Sequence, residues 1–288
     1  MQRVRGARGR WLRVKHVAKR ALFPSPPVSW QLVDPGAGGA FAGRTVVVTG
    51  AAGLLGREMV AALLAQGAQV HAVDRDRAGL AALVDGGRST LPMTHVADLS
   101  DDAAVELVAA AISQCTHGLD ALIHCIGGSD GRTGVTTIDA ESWVRVLAMN
   151  LVAPALFTAA MVPLLARVPA SGVVVITSIN GRAPSPWPHY AAAKAGAAKL
   201  TRDLAVQLAP QGIRVNAVAP GWLAAGTDQP LFDRFAPLGS TAVPCAAVVQ
   251  AALFLADARM SPCTTGQELA VDAGAELEFL PVSDRRRR

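Results

Sequence analysis

At 288 residues, about half of them apolar, the chain is long enough to bury one sizeable core, and its formal charge of +5 is segregated along it. Eight of the 27 Lys and Arg fall in the first 20 residues and four more are Arg285 to Arg288, so 15 bases face all 22 acids in the body, which is acidic. That argues against a nucleic-acid-binding face on the fold, and four dispersed cysteines (Cys115, Cys125, Cys245, Cys263) with no C-x-x-C pair argue against a disulfide framework or a zinc site.

Taken in chain order, residues 1–40 pair a basic piece, MQRVRGARGRWLRVKHVAKR, with a Pro/Gly-rich piece and read as a flexible extension and linker. From Phe41 the pattern changes. RTVVVTG is a continuous β-branched run, LLGREMVAALLAQG has helical periodicity ending at Gly67, and AQVHAVD is a second short apolar run: a βαβ unit. The alternation continues with a strand near Thr94–Ala97, a helix opened by Ser100 as N-cap, and the strand DALIHCIG. A long helix then runs through Trp143 to Leu165, followed by the strand GVVVITS, a helix from Tyr190, the strand IRVNAVAP and a last strand around QELAVDAG. Strands without polar alternation, separated by helices, predict a parallel sheet covered on both faces: a doubly wound α/β domain over 41–281, with 282–288 as a basic tail. The longest apolar stretch, LVAPALFTAAMVPLLA at 151–166, falls short of a membrane span of about 20 residues and carries Pro154 and Pro163, so it reads as a buried or subunit-facing helix.

Two short stretches carry chemistry. TGAAGLLG places Gly50, Gly53 and Gly56, with Leu55 between the last two, where the first strand turns into its helix. Glycine there lets the backbone approach a diphosphate, whose charge is favoured by the amides and dipole of the helix N-terminus. Asp74 closes the second strand, where a carboxylate accepts hydrogen bonds from adenosine ribose hydroxyls and repels a 2′-phosphate; Arg75 and Arg57 keep NADP open beside NAD. In SPWPHYAAAKAG, Tyr190, the only tyrosine of the chain, precedes Lys194 by one helical turn, so the two side chains share a face.

These features resemble, in order, the short-chain dehydrogenase/reductase family over roughly Ala42 to Gly274: the glycine turn, ADL with Asp98 and Leu99, HCIG with Gly127, MNL with Asn150, ITS with Ser178, YAAAK, APG with Pro220 and Gly221, and TGQELAVDAG. The resemblance implies a Rossmann fold binding NAD, with NADP as the alternative, a homodimer or homotetramer built on the long helices, and oxidoreduction of an alcohol–carbonyl pair without a metal. Tyr190 is then the proton donor and acceptor. A free phenol titrates near 10, and a neighbouring ammonium is expected to lower that value. Lys194 would also bond the nicotinamide ribose, Ser178 would hold the substrate oxygen, and Asn150 would support a relaying water. Asp98 and Leu99 would flank the adenine, Gly127 would floor the nicotinamide ribose, and Pro220 and Gly221 would complete the cofactor site.

The chain departs from the family pattern in four places. The glycine spacing is that of the longer branch of the family. His124-Cys125-Ile126-Gly127 stands where Asn-Asn-Ala-Gly is usual, so a local change in strand bracing is expected. Ser178 precedes Tyr190 by twelve residues where thirteen is common, while Thr177, with the common spacing, points to the opposite strand face. Ala225 replaces a threonine, with Thr227 two residues late. Trp222, Leu223, Leu231, Phe232 and Phe235, with Trp187 and Pro188, suggest an apolar pocket for a hydrophobic or cyclic substrate. The competing reading is a dinucleotide-binding sensor or interaction protein of the same fold without turnover. A cytoplasmic location is expected, and contact of the basic tails with nucleic acid or an anionic membrane is the lesser alternative.

Overall fold

The structure, a computed structural model, describes residues 40–84, 90–223 and 242–278. The expected extension up to residue 39, the basic tail, and Ala225, Thr227, Leu231, Phe232 and Phe235 lie outside the described residues. Seven strands form one sheet: β1 Thr45–Thr49, β2 Gln69–Asp74, β3 Met93–Val96, β4 Ala121–His124, β5 Gly172–Ile176, β6 Arg214–Pro220 and β9 Glu268–Val271. Their spatial order is β3-β2-β1-β4-β5-β6-β9, and every pairing is parallel. The order reverses between β1 and β4, which opens a crevice at their carboxyl ends, where open α/β sheets bind ligands. A two-stranded pair, β7 Trp222–Leu223 with β8 Ala242–Val243, lies apart from the sheet.

The unbroken burial of β1, β5 and β6 follows from helices on both faces. Successive side chains of a strand enter opposite cores. Val46 and Val48 pack with α1 (Leu54–Ala65), α2 (Arg77–Val84) and α7 (Cys245–Ala256). Val47, Val173 and Val175 pack with α3 (Asp102–Cys115), α5 (Ala153–Leu165) and α6 (Pro188–Leu208). Burying one such valine fully stabilises the fold by about 1.5–3 kcal/mol.

The expected long helix is two. α4 (Ala140–Leu147) passes through a π-helical turn, Ala148–Val152, into α5. Pro154 supplies the cause: it has no N–H, and its ring would crowd the carbonyl four residues back, that of Asn150. The wider turn accommodates it, with Ala153 N–H reaching back to Ala148 O. The whole run Ala140–Leu165 is long and apolar enough to cross a membrane by length and composition, a property not expected from residues 151–166 alone. Phe157, Met161, Leu164 and Leu165 are nonetheless buried against the sheet, the position of a core helix. Ser100 does not cap α3. Asp101 does, accepting from Ala103 N–H, while Ser100 Oγ donates to Asp98 at 2.6 Å.

Candidate active site

Just past β5, the alternation of the extended chain separates two hydroxyls. Thr177 turns toward β6 and β9, its Oγ1 3.0 Å from Val218 O and 2.6 Å from Glu268 Oε1. Ser178 faces the other way, near enough to the Tyr190 phenol to pull its pKa down, and its Oγ accepts from Asn180 N–H at 3.1 Å. Helix α6 carries Tyr190 in its first turn and Lys194 in its second. Lys194 is buried; its Nζ donates to Ile176 O at 2.8 Å and lies 5.8 Å from the centre of the Tyr190 ring.

The titration of the tyrosine departs from expectation. Burial pushes the Tyr190 phenol above its usual value, with the Ser178 hydrogen bond pulling the other way. The ammonium's own proton is the labile one. Burial pulls Lys194 down to about 8 from 10.5. Between those values the unfolded chain holds a proton that the folded chain does not, so stability should rise with pH by up to about 1.4 kcal/mol per unit. Lys194→Met should flatten that rise, measured by urea unfolding between about pH 8 and pH 10; equal slopes in both proteins would refute it.

Asn150, inside the π turn, is fully buried. Its Nδ2 donates to Val146 O (2.9 Å) and Gly128 O (2.8 Å), and its Oδ1 accepts from Gly128 N–H at 3.0 Å. The side chain clamps the loop that follows β4. Gly127, next to that clamp, has φ +145, and a Cβ there would stand 2.6 Å from Asn150 Oδ1 and 2.7 Å from Lys194 Nζ. Only glycine fits both that backbone conformation and that space.

His124 replaces the usual asparagine with a bridge: Nδ1 lies 3.1 Å from Thr49 Oγ1 and Nε2 2.9 Å from Thr158 Oγ1. Burial, aided by the Lys194 charge, holds it down to about 3. β4 is thereby tied to β1 and α5. Burial also pushes the neighbouring Cys125 thiol up to about 12, against the pull of Lys194.

A cleft of about 160 Å³ runs over the β1–β4 crevice, lined by Gly50, Gly53, Asp74, Asp98, Leu99 and Gly127 among others. Asp74 Oδ2 accepts from Ala52 N–H and Oδ1 from Asp76 N–H, each at 2.9 Å, so this carboxylate is built into the glycine turn. Arg75 is 3.5 Å from Asp98, and Arg57 Nε donates to Ala52 O at 2.6 Å. The hydrogen bond from Ser100, with Arg75 adding to it, keeps the Asp98 carboxyl below its usual range. A larger cavity of about 930 Å³ opens from Gly53, Leu55 and Gly56 past Ser178, Tyr190 and Lys194 to Pro220 and Gly221. Trp187, Trp222, Leu223, Pro184, Pro186 and Ile179 form much of its described wall, and the two tryptophans meet edge to face at 5.5 Å. Glycine cradle, acidic strand end and cleft together fit the two halves of a dinucleotide.

Sequence reasoning missed two groups. Asp130 collects His189, Ser142 and Arg145, and Arg182 links Glu268 to Glu276. His189 adjoins Tyr190 in the sequence, a proximity that could have been noticed; Asp130 lies 59 residues from it and gave no signal.

A doubly wound parallel sheet with a crevice at its switch point defines a Rossmann-type fold. A family model described as enoyl-(acyl carrier protein) reductase matches residues 50–276, and the chain belongs to the short-chain dehydrogenase/reductase family, whose members use nicotinamide cofactors. It is 34% identical over 249 residues to cis-4-hydroxycyclohexanecarboxylate dehydrogenase of Sinomonas cyclohexanicum, covering 82% of this chain and 98% of the relative. Galactitol 2-dehydrogenase (L-tagatose-forming) of Cereibacter sphaeroides is 32% identical over 248 residues, covering 81% and 94%. The fold matches a short-chain type dehydrogenase/reductase from Mycobacterium ulcerans at a TM-score of 0.77, with 24% identity, over 83% of this chain and 91% of that one.

Proposed function

We propose that the protein interconverts a secondary alcohol and its ketone on an apolar, cyclic substrate, with NAD(H) as cofactor. The observation that carries this reading is the meeting of Ser178, Tyr190 and Lys194 at the wall of a cavity whose other described surface is mostly tryptophan, proline and aliphatic side chains. The nicotinamide, when bound, supplies the two-electron donor or acceptor. Gly50, Gly53, Leu55, Gly56 and Gly127 would hold its dinucleotide, with Asp98 and Leu99 at the adenine end and Pro220 and Gly221 at the other. Ser178 Oγ holds the substrate oxygen by a hydrogen bond, and the Tyr190 phenol exchanges the proton at that same oxygen. Lys194 stabilises the phenolate that remains once the proton has left. Asn150 keeps the Gly127–Gly128 segment in place beside Lys194.

Assay of a panel of cyclic and acyclic secondary alcohols and ketones with NAD(H) and NADP(H) tests this. Alicyclic substrates should exceed open-chain polyols, which have no apolar surface to bury against Trp187 and Trp222. Dinucleotide binding without turnover across the panel would favour a sensor instead.

The choice of NAD(H) rests on Asp74, whose carboxylate lines the cleft while Arg75 is held by Asp98. A 2′-phosphate brought there meets the Asp74 charge, while the neighbouring Arg75 is engaged by Asp98. The wild type should prefer NAD(H) by at least about tenfold in kcat/KM, about 1.4 kcal/mol, and Asp74→Ala should erase that margin. Because Asp74 also holds Ala52 N–H, the variant should weaken NAD(H) binding as well. Equal use of both cofactors by the wild type would defeat the assignment.

A further inference from the structure

The catalytic tyrosine sits at the weakest point of its helix. α6 begins with Pro188, its N-cap position is Trp187, and no side chain caps it. Helix ends with uncapped N–H groups fray, and Tyr190 lies within that first turn. A side-chain link from this turn into the neighbouring loop is made by His189. Its ring is fully buried, Nε2 lies 2.9 Å from Asp130 Oδ1, and Trp143 of α4 packs edge to face against it at 5.9 Å.

Asp130 is a node with partners on three segments. Its Oδ2 accepts from Ser142 Oγ and, at 2.9 Å, from Arg145 Nη2, both on α4; its Oδ1 accepts from Arg132 N–H at 3.2 Å in the loop after β4. A second tie, Gly134 N–H to Pro186 O at 2.9 Å, joins this loop to the residues just ahead of α6. The Ser142 hydroxyl first, then His189, keeps the Asp130 carboxyl far below its usual range, so the node is an anion. Flanking Asp130, Ser129 and Gly131 line the large cavity.

We propose that His189 and Asp130 are positioning residues: their pairing locks the uncapped first turn of α6 to the substrate-side loop and so sets the place of the Tyr190 phenol. The assignment rests on Tyr190 as the proton-exchanging group. Its geometry explains why a buried imidazole directly precedes the tyrosine. The ring's N–H reaches back across the loop while Trp143 packs against it edge to face. A displacement of about 1 Å at a reacting group costs about a hundredfold in rate, so a modest tether at this point has a large effect.

Tyr190 is the only tyrosine in the chain, which permits a readout independent of turnover. Protein labelled with carbon-13 at the tyrosine ring gives one signal reporting that phenol alone. In His189→Phe and in Asp130→Asn the signal should broaden or split, and its titration midpoint should fall toward the free-phenol value near 10 as water reaches the ring. With the best alcohol of the panel, both variants should lose about a hundredfold in kcat. Dinucleotide affinity, read by fluorescence, should stay within about twofold, since neither residue lines the dinucleotide cleft. His189→Gln, which keeps an N–H donor within reach of Asp130, should restore both the sharp signal and most of kcat. The double variant should be no worse than either single one. A tyrosine signal unchanged in position, width and midpoint in folded His189→Phe and Asp130→Asn would overturn the proposal. If the wild type turns over nothing, the functional reading falls while the tyrosine signal still decides the tether.

Discussion

Tyr190→Phe should lower kcat by at least about 10³-fold while leaving the dissociation constant for NADH within about twofold. The phenol stands beside Ser178 at the wall of the large cavity, whereas the proposed adenosine end is the separate cleft lined by Asp74, Asp98 and Leu99. Losing one hydroxyl therefore removes the proton step and little of the dinucleotide contact. The phenylalanine ring occupies the same space and keeps the packing over Lys194, so the fold should not suffer. Steady-state kinetics with the best alcohol, together with fluorescence titration of NADH, separates the two effects. Residual turnover within tenfold of the wild type would mean that another group supplies the proton, and the role given to Tyr190 would be lost.

Gly56→Ala should weaken dinucleotide binding at least about a hundredfold, equivalent to about 2.7 kcal/mol. A Cβ at Gly56 would overlap the carbonyl oxygen of Gly50 and stand 2.8 Å from Ala51 Cα, and both neighbours are backbone. Neither can swing aside as a side chain would. The turn must open, which displaces the Ala52 amide from Asp74 and rearranges the first turn of α1. Overpacking of this kind costs a further 1–3 kcal/mol or so in stability. Ser178 stands just past β5 and Tyr190 and Lys194 on α6, away from this turn, so their mutual geometry should survive. Unaltered affinity for NADH would show that the dinucleotide does not use this turn.

The parallel sheet was legible because strands buried on both faces are written as unbroken β-branched runs, as in TVVVT and GVVVI. Tyr190 and Lys194 were legible because one helical turn separates them in a short, local motif. Strand alternation likewise distinguished Ser178 from Thr177, and the two do face opposite ways. Contacts made across the chain had no such trace. The tie between Asp130 and His189 joins residues 59 apart, and the partners of Asn150 are backbone groups that no spacing rule names. The direction of the Tyr190 shift was misjudged for a related reason: the lysine is visible in the sequence, but the burial that raises the phenol is a property of the assembled walls. The cap of α3 moved from Ser100 to Asp101 because Asp98 engages the serine first, a competition between adjacent polar side chains that composition does not resolve.

The bridge through His124 gives the core under the site a form of redundancy. A neutral imidazole has one N–H and one bare nitrogen, so one of Thr49 and Thr158 receives a proton from the ring while the other offers one to it. If either hydroxyl were lost, the ring could adopt the tautomer that turns its N–H toward the survivor, leaving only a lone pair without a partner. With both lost, the N–H itself would be stranded in a dry interior, the costlier condition. Each threonine thus insures the strand against the loss of the other. An asparagine, whose donor and acceptor ends are fixed to one amide plane, would have to turn over bodily to do the same.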